Sequence, residues 1–446
     1  MEAFEGERAV VIGLGVSGRA AARVLTDEGA EVRVSEVRPA GELEVPDGLE
    51  GVQVLAGGHR DEHLEGASLV VLSPGVPEAT PIVRRALELG IPVWSELEIG
   101  ARLCTAPYVA VTGTNGKTTT TEMLAACLRA AGLDAVACGN IGLPFSIAAR
   151  EGHDALAVEA SSFQLRFHES FSPRVSVLLN LAPDHLDWHG TLDAYAEAKA
   201  RVFANQTDDD VHVGNAGDAA AAEVSRRARC RIVWFRASRP ADGEVGFEEG
   251  EIVSRVDGEL RLGSFPGKTT GLRSDAAAAA AAALGFGLGG DAVAAGLAVV
   301  PTLPHRGEVV AEVDGVRFVD DSKATNPHAA LASLEGREEV VLIAGGLAKG
   351  VDLRPLGSAA RALTAVVAIG EARWEVVRVF EGIVPTRMAS SMEGAVRAAM
   401  ELSSKVGTVL LAPACASQDM FRDYAERGER FAAAARALEK EAVARG

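Results

Sequence analysis

The chain has 446 residues, 48% of them hydrophobic and 24% charged, and a formal net charge of −18. That length exceeds one ordinary core, so two or three domains are expected of what reads as a soluble globular protein. A surface this acidic repels phosphate backbones and anionic lipid, which argues against nucleic acid and membrane as partners but leaves room for a locally cationic nucleotide pocket. Only seven lysines occur, and Lys117, Lys199, Lys323 and Lys349 fall inside the motifs below. The five cysteines are odd in number and lack CxxC spacing, against a disulfide framework or zinc site and in keeping with a reducing compartment. The N-terminus has no basic stretch followed by an apolar one, and no segment makes a convincing membrane span, so a cytoplasmic location is expected.

In chain order, Ala9–Ile12 reads as a buried strand, followed by GLGVSG at 13–18 and a helical pattern. G-x-G-x-x-G in that setting allows a tight turn and brings backbone amides to a phosphate at a helix N-terminus. After a second strand, Val32–Ser35, Glu36 stands where an acid can take a ribose hydroxyl, and SPGVP at 73–77 is another glycine turn after the strand Leu69–Leu72. On the first loop alone, a NAD-binding Rossmann unit is the base-rate reading. A second strand–loop–helix unit runs through Tyr108–Val111, TGTNGKTT at 112–119 and the helix Lys117–Ala131. Its amides can surround phosphates, Lys117 can neutralise β/γ charge and Thr118 can bind Mg²⁺. Val111 replaces the first glycine of the usual pattern, leaving G-x-x-G-K-T. ATP binding is expected.

Glu159 ends the strand Ala155–Val158 and would face the phosphate loop in a parallel sheet, a position suited to a metal ligand or to a cap. After Val175–Leu179 come Asp184, His185, Asp187 and His189, by themselves a polar loop or a transition-metal site. A helix over Thr191–Ala204 puts Tyr195, Lys199 and Phe203 on one face. Asp257-Gly258 and Asp314-Gly315 predict hairpins, and Ala276–Ala283 a packed helix. Val340–Ile343, Val366–Ile369 and Val409–Leu411 complete the buried strands. The alternation predicts an α/β protein of mainly parallel sheets. Three domains follow: Rossmann-like over 1–97, a P-loop ATPase-like sheet over 98–300, and a second Rossmann-like unit over 301–446.

From GTNGKTT onward the motifs resemble those of the Mur ligase family and the related folylpolyglutamate synthases. In order they are GNIG at 139–142, EASSFQL at 159–165, LNLAPDHLDWHG at 179–190, the Tyr195–Lys199–Phe203 series, PHR at 304–306, DDSKATNP at 320–327, GGLAKG at 345–350 and APACASQDMF at 412–421. The resemblance covers essentially the whole chain, and DSKATNP is similar to the branch that adds D-glutamate. It implies ATP-dependent ligation of D-glutamate to UDP-N-acetylmuramoyl-L-alanine through an acyl phosphate, by a monomer. For ATP it implies contacts from Gly113, Thr114, Asn115, Gly116, Lys117, Thr118 and Thr119, and from His305, Arg306, Asp321 and Lys323 of a third domain that closes over the nucleotide. For the UDP substrate it implies Gly15, Val16, Ser17, Glu36, Arg38, Ser73, Gly75, Asn140, Ser161 and Gln164. For D-glutamate it implies Thr325, Lys349, Ser417 and Tyr424.

The resemblance further implies Mg²⁺ held by Thr118 and Glu159, with His185 and a carbamylated Lys199 serving a second ion. Lys117, Glu159, His185 and Lys199 are then the catalytic set. Carbamylation is chemically reasonable, because a partly buried lysine loses basicity and its neutral amine can take up CO₂. The chain departs from the family where Thr269-Thr270 replaces a usual His-Asn pair, Glu36 an Asp and Tyr424 a Phe. Three competing readings remain: a sister amide ligase for another amino acid, an oxidoreductase resting on GLGVSG alone, and a degenerate sensor of UDP-muramoyl precursors.

Overall fold

A computed structural model describes residues 3–43, 48–403 and 407–444. Its strands form three sheets. The first holds β1 (Arg8–Ile12), β2 (Glu31–Ser35), β3 (Gln53–Leu55), β4 (Leu69–Leu72) and β5 (Val93–Ser95), in the order β3-β2-β1-β4-β5 and parallel throughout. The second holds β6 (Tyr108–Thr112), β7 (Ala135–Gly139), β8 (Ala155–Glu159), β9 (Val175–Leu178), β10 (Val211–Asn215), β11 (Arg231–Phe235), β12 (Glu244–Glu248), β13 (Glu251–Ser254) and β14 (Leu260–Ser264). Their order is β14-β13-β12-β11-β10-β9-β6-β8-β7, with only the β12–β13 and β13–β14 pairs antiparallel. The third holds β15 (Glu308–Val313), β16 (Val316–Asp320), β17 (Val340–Gly345), β18 (Leu363–Ile369), β19 (Thr386–Met388) and β20 (Gly407–Leu411). Its order is β15-β16-β20-β17-β18-β19, antiparallel only at β15–β16.

Strands covered on both faces read as unbroken aliphatic runs, and β1, β4, β6, β17 and β20 do so because nearly every residue in them is buried. Both Asp-Gly pairs close hairpins with two consecutive positive φ values, 57° and 121° at Asp257-Gly258 and 50° and 85° at Asp314-Gly315. A third hairpin, between β12 and β13, turns at Glu249-Gly250 with φ of 54° and 87°. Glutamate is an uncommon residue at such a position, so this turn carries no sequence signal. The alanine run lies in the helix Thr270–Phe286, fully buried from Ala276 to Ala283. Thr269 caps that helix by accepting the Leu272 amide at 3.2 Å, so one of the two departing threonines has a local structural role.

One expectation needs correction. The helix Leu192–Ala200 gives way to a 3₁₀ turn over Arg201–Phe203, so Phe203 does not extend the α-helical face of Tyr195 and Lys199.

The chain divides into two compact units, Met1–Leu181 with Asp193–Pro301, and Ala182–Leu192 with Thr302–Gly446. Within the first unit, the helix Glu96–Leu103 joins the first two sheets through two fully buried carboxylates. Glu96 accepts the Ser146 amide at 2.5 Å. Glu98 accepts the amides of Glu169 and Ser170 at 2.9 and 2.8 Å, the Ser170 hydroxyl at 2.7 Å and Arg102 at 2.7 Å. Burial raises both groups; on Glu98 the hydrogen bonds outweigh it and hold the carboxyl below its ordinary range, whereas on Glu96 burial wins. Among the described residues, no helix is long and apolar enough to cross a membrane.

Candidate active site

The first glycine loop leaves β1 at its carboxyl end. A Cβ on Gly18 would lie 2.0 Å from the Gly13 carbonyl oxygen, and one on Gly15 would lie 2.9 Å from Ser73 Oγ. The loop and the SPGVP turn therefore close on each other, with Gly15, Val16 and Ser17 at the start of the helix Val16–Asp27. Val16 is largely exposed, as is Gly75. Glu36 is buried and accepts the Leu14 amide at 2.8 Å, while Arg38 reaches its two oxygens at 3.2 and 3.1 Å. Burial raises the Glu36 carboxyl, but these hydrogen bonds prevail and bring it down to about 2. It is thus a fixed anion beside the first glycine turn.

In the second loop, Gly113 and Gly116 take φ of 153° and 86°, and Gly116 has no room for a Cβ, with Asp275 Oδ1 only 2.1 Å from where one would sit. Lys117 begins the helix Lys117–Ala130, and its Nζ turns back to donate to the carbonyls of Gly113 and Thr114 at 3.1 and 2.9 Å. The Thr118 hydroxyl donates to Glu159 Oε2 at 2.8 Å, and Asn140 Nδ2 donates to the other oxygen at 2.9 Å. Parallel pairing of β6 with β8 puts Glu159 level with Val111, at the base of the loop. Asn180 braces the loop, accepting the Asn115 amide at 2.8 Å and donating to the Asn115 carbonyl at 3.0 Å. Thr119 is buried one residue further on.

Lys199 is 1% exposed, donates to the Gly113 carbonyl at 2.7 Å and lies over the Tyr195 ring at 4.5 Å. The Tyr195 hydroxyl reaches Thr114 Oγ1 at 3.3 Å. Lys117, Thr118, Asn140, Glu159 and Lys199 are therefore one cluster around the second glycine loop. Ser161 and Gln164 form a capping box at the start of the helix Ser162–Arg166, and Gln164 Nε2 points to Glu96 at 3.5 Å.

In the second unit, the loops leaving β16, β20 and β17, which are neighbours in the sheet, meet at the carboxyl ends of those strands. Open α/β sheets bind ligands at such a place. Arg427 is 1% exposed and ties two of the loops, donating to Ser322 Oγ at 2.9 Å, the Ser322 carbonyl at 2.8 Å and the Cys415 carbonyl at 3.0 Å. Burial lowers its guanidinium to about 10. Leu347 and Ala416 exchange amide hydrogen bonds at 2.9 and 3.0 Å, which joins the Lys349 loop to the Ser417 loop. Lys349 takes φ of 52°, and Ser417 is buried. Thr325 donates its amide to the Lys323 carbonyl at 2.9 Å, and Lys323 Nζ lies 5.4 Å from the Tyr424 ring centre. His305 Nδ1 is 2.7 Å from Asp320 Oδ2. Burial raises the Asp321 carboxyl, against a hydrogen bond from Ser333 and the nearby Arg306. His185, at φ of 53°, also belongs to this unit, because Asp184 accepts from Asn326 Nδ2 at 3.0 Å.

Sequence reasoning missed Asn180, Asp275, Glu96 and Arg427. Asn180 stands inside the LNLAPDHLDWHG motif, but nothing in that motif pairs it with Asn115; Asp275, Glu96 and Arg427 stand in no quoted motif, and each reaches its loop only through the fold.

Three family matches tile the chain: residues 7–95 match the Mur ligase MurD-like N-terminal domain, 111–272 the Mur ligase middle domain and 305–415 the Mur ligase glutamate ligase domain. A UDP-N-acetylmuramoylalanine--D-glutamate ligase of Frankia casuarinae is 44% identical over 453 residues, covering 98% of this chain and 95% of its own. One from Syntrophotalea carbinolica is 40% identical over 449 residues, covering 98% and 99%. Among solved structures, UDP-N-acetylmuramate-alanine ligase MurC of Thermotoga maritima aligns with a TM-score of 0.61 at 18% identity, covering 96% of this chain and 99% of its own. MurF ligase of Thermotoga maritima in complex with ADP aligns with a TM-score of 0.59 at 18% identity, covering 100% and 97%.

Proposed function

The chain belongs to the Mur ligase family, and we propose that it joins D-glutamate to UDP-N-acetylmuramoyl-L-alanine at the expense of ATP, in the cytoplasmic synthesis of peptidoglycan precursor. Relatives named for that reaction, matching along nearly the full length of both chains, carry this reading. The domain limits 1–97, 98–300 and 301–446, action as a monomer and the residue roles below belong to the same proposal.

A carboxylate oxygen of the alanyl group attacks the γ-phosphorus of ATP, the bond to the β-phosphate oxygen breaks, and ADP leaves. The amine of D-glutamate then attacks the acyl phosphate carbonyl carbon, and phosphate departs from the tetrahedral intermediate. Lys117 already turns over the loop toward Gly113 and Thr114; exchanging those carbonyls for phosphate oxygens neutralises charge as it develops. The donor set around the loop fits a hard cation, since the Thr118 hydroxyl and the Glu159 carboxylate are oxygen ligands 2.8 Å apart. Thr118 and Glu159 would hold one Mg²⁺, and His185 with a carbamylated Lys199 a second, the ions supplying charge neutralisation on the transferring phosphoryl group. Carbamylation of Lys199 adds two oxygens while retaining an N–H for the Gly113 carbonyl that the amine now uses.

Asn140, hydrogen-bonded to Glu159, and Ser161 with Gln164 flank the position of the muramoyl-alanine carboxylate. Gly15, Val16, Ser17, Glu36, Arg38, Ser73 and Gly75 bind the UDP group. Thr325, Lys349, Ser417 and Tyr424 receive the two carboxylates of D-glutamate, a ligand that calls for cationic and hydroxyl donors. His305, Arg306, Asp321 and Lys323 contribute to ATP.

The test is phosphate release from ATP and Mg²⁺ with UDP-N-acetylmuramoyl-L-alanine, comparing D-glutamate, L-glutamate, D-alanine and no amino acid. Release that needs both the UDP substrate and D-glutamate is expected. Release with a different amino acid instead moves the activity to a sister ligase, and no release with any of them overturns the reading.

A further inference from the structure

The segment Ala182–Leu192 follows β9 and ends on the first residue of the helix Leu192–Ala200, yet it packs with the unit that holds the third sheet. Asp184 is 6% exposed and uses both carboxylate oxygens: Oδ1 accepts the His185 amide at 2.9 Å, and Oδ2 accepts Asn326 Nδ2 at 3.0 Å while standing 3.7 Å from His185 Nε2. Asn326, 2% exposed, is equally committed. Its Oδ1 accepts the Ala329 amide at 2.9 Å and caps the helix Pro327–Leu334, which leaves its NH₂ group facing the carboxylate. An amide with an N–H donor at one end and a carboxylate at the other has a single sensible orientation. His185 holds a left-handed conformation, uncommon for a residue with a Cβ, and Asp184 secures it from both its amide and its ring side. Asn326 directly follows Thr325.

We infer that the Asp184–Asn326 hydrogen bond is a positioning link that fixes His185 relative to the Thr325 loop, so that occupation of the amino-acid site and the orientation of His185 depend on each other. This rests on the proposed function, in which Thr325 receives D-glutamate and His185 serves the phosphoryl group. Neither Asp184 nor Asn326 need touch a substrate; each acts through its neighbour in the chain. A hydrogen bond between an ionised and a neutral group, both shielded from water, leaves an uncompensated carboxylate if its donor is removed.

Asn326→Ser keeps a good cap for the helix Pro327–Leu334 but has no amide to reach Asp184. Asn326→Asp sets a second carboxylate against the first. The exchange Asp184→Asn with Asn326→Asp restores one donor and one acceptor in reverse and keeps the net charge. Steady-state kinetics and thermal unfolding are measured on the full chain for the parent and all three variants. The expected result is a fall in kcat/KM for D-glutamate of about tenfold or more in Asn326→Ser and larger in Asn326→Asp, with KM for ATP within about twofold of the parent, and recovery of most of the loss in the exchange. Parental kinetics in Asn326→Ser overturns the link. So does an exchange that regains thermal stability without regaining kcat/KM, since the pair would then be structural only. If Asn326→Asp fails to fold, the Asn326→Ser kinetics decide alone. A parent enzyme with no D-glutamate-dependent phosphate release brings down the functional reading itself, a result separable from any of these.

Discussion

At the scale of single residues, the candidate site turns on side chains that cluster around one carbonyl. Gly113 O accepts from both Lys117 and Lys199, 3.1 and 2.7 Å away, so two lysine amines converge on the loop proposed to hold phosphate. Lys199 is the more exacting of the two, because it is buried against Tyr195. Lys199→Ala should fold and should lower turnover by about 10²–10³, the usual loss on removing one preorganised electrostatic group. Lys199→Arg, which keeps a positive charge but cannot form a lysine carbamate, should be no better. Turnover restored by the arginine would show that charge alone suffices and remove the carbamate from the mechanism. Lys117, Thr118 and Glu159 were legible in the sequence because a strand, a glycine loop and a helix fix their relation locally, and parallel pairing supplies the rest. Asp275 was not, since it meets Gly116 from a helix begun more than a hundred residues later. The sequence of the DHLDWHG cluster likewise gives no sign that Asp184 belongs with Asn326 of the third domain.

At the scale of elements, the loop's geometry depends on how the helix behind it is seated. The helix Gly290–Leu297 lies so close to Lys117–Ala130 that a Cβ on Gly296 would fall 2.5 Å from both the Cα and the amide nitrogen of Cys127. Backbone cannot yield as a flexible side chain can. Gly296→Ala should therefore destabilise the protein by about 1–3 kcal/mol and, by pushing back the helix that starts at Lys117, weaken ATP binding in calorimetry. Unchanged affinity beside lowered stability would mean that the loop is held by Asn180 and Asp275 and not by the helix. A milder loss belongs to the helix Ser162–Arg166, where Ser161→Ala deletes one half of the capping box and should cost about 1 kcal/mol in thermal or denaturant unfolding. Elements with a period or a turn signature were readable in advance, including both Asp-Gly hairpins and the alanine helix. The change from α to 3₁₀ after Ala200 was not, because nothing in AKARVF breaks a helix; tertiary contacts from Arg201 to the carbonyls of Leu165 and His168 redirect the chain there.

At the scale of the whole molecule, the acidic composition and the buried titratable groups together govern how stability responds to pH. Burial holds His168 down to about 4 and His212 to about 3; His212 sits between the hydroxyls of Ser176 and Ser225 at 2.7 and 2.9 Å, His168 against the Arg201 carbonyl at 3.1 Å. Both are neutral when folded, while an unfolded histidine titrates near 6.5. As pH falls through 6.5 the unfolded chain therefore binds two protons that the folded chain refuses, and stability declines until the folded values are reached, by about 1.4 kcal/mol per pH unit for each histidine once fully engaged. His153 opposes this: burial lowers it, but Asp134 and Glu151 raise it above its ordinary value, so its contribution is complete below 6.5 and is lost as pH rises through the folded value. Glu36 cannot account for a loss in the same window, since its carboxyl, lowered to about 2, begins to weaken the fold only as pH drops below the ordinary carboxylate value of 4.5. Hydrogen exchange of the β9–β11 amides, read by mass spectrometry between about pH 7 and about pH 5 and corrected for intrinsic rates, should thus show opening free energies that fall with acidification. His168→Gln with His212→Gln should lower the starting stability and flatten the slope. The mutual repulsion of a chain that carries 62 acidic against 44 basic residues cannot account for an unchanged slope in the double variant. That repulsion works in the opposite direction, since protonating carboxylates relieves it, so a decline in stability that survives both substitutions would require a third buried base.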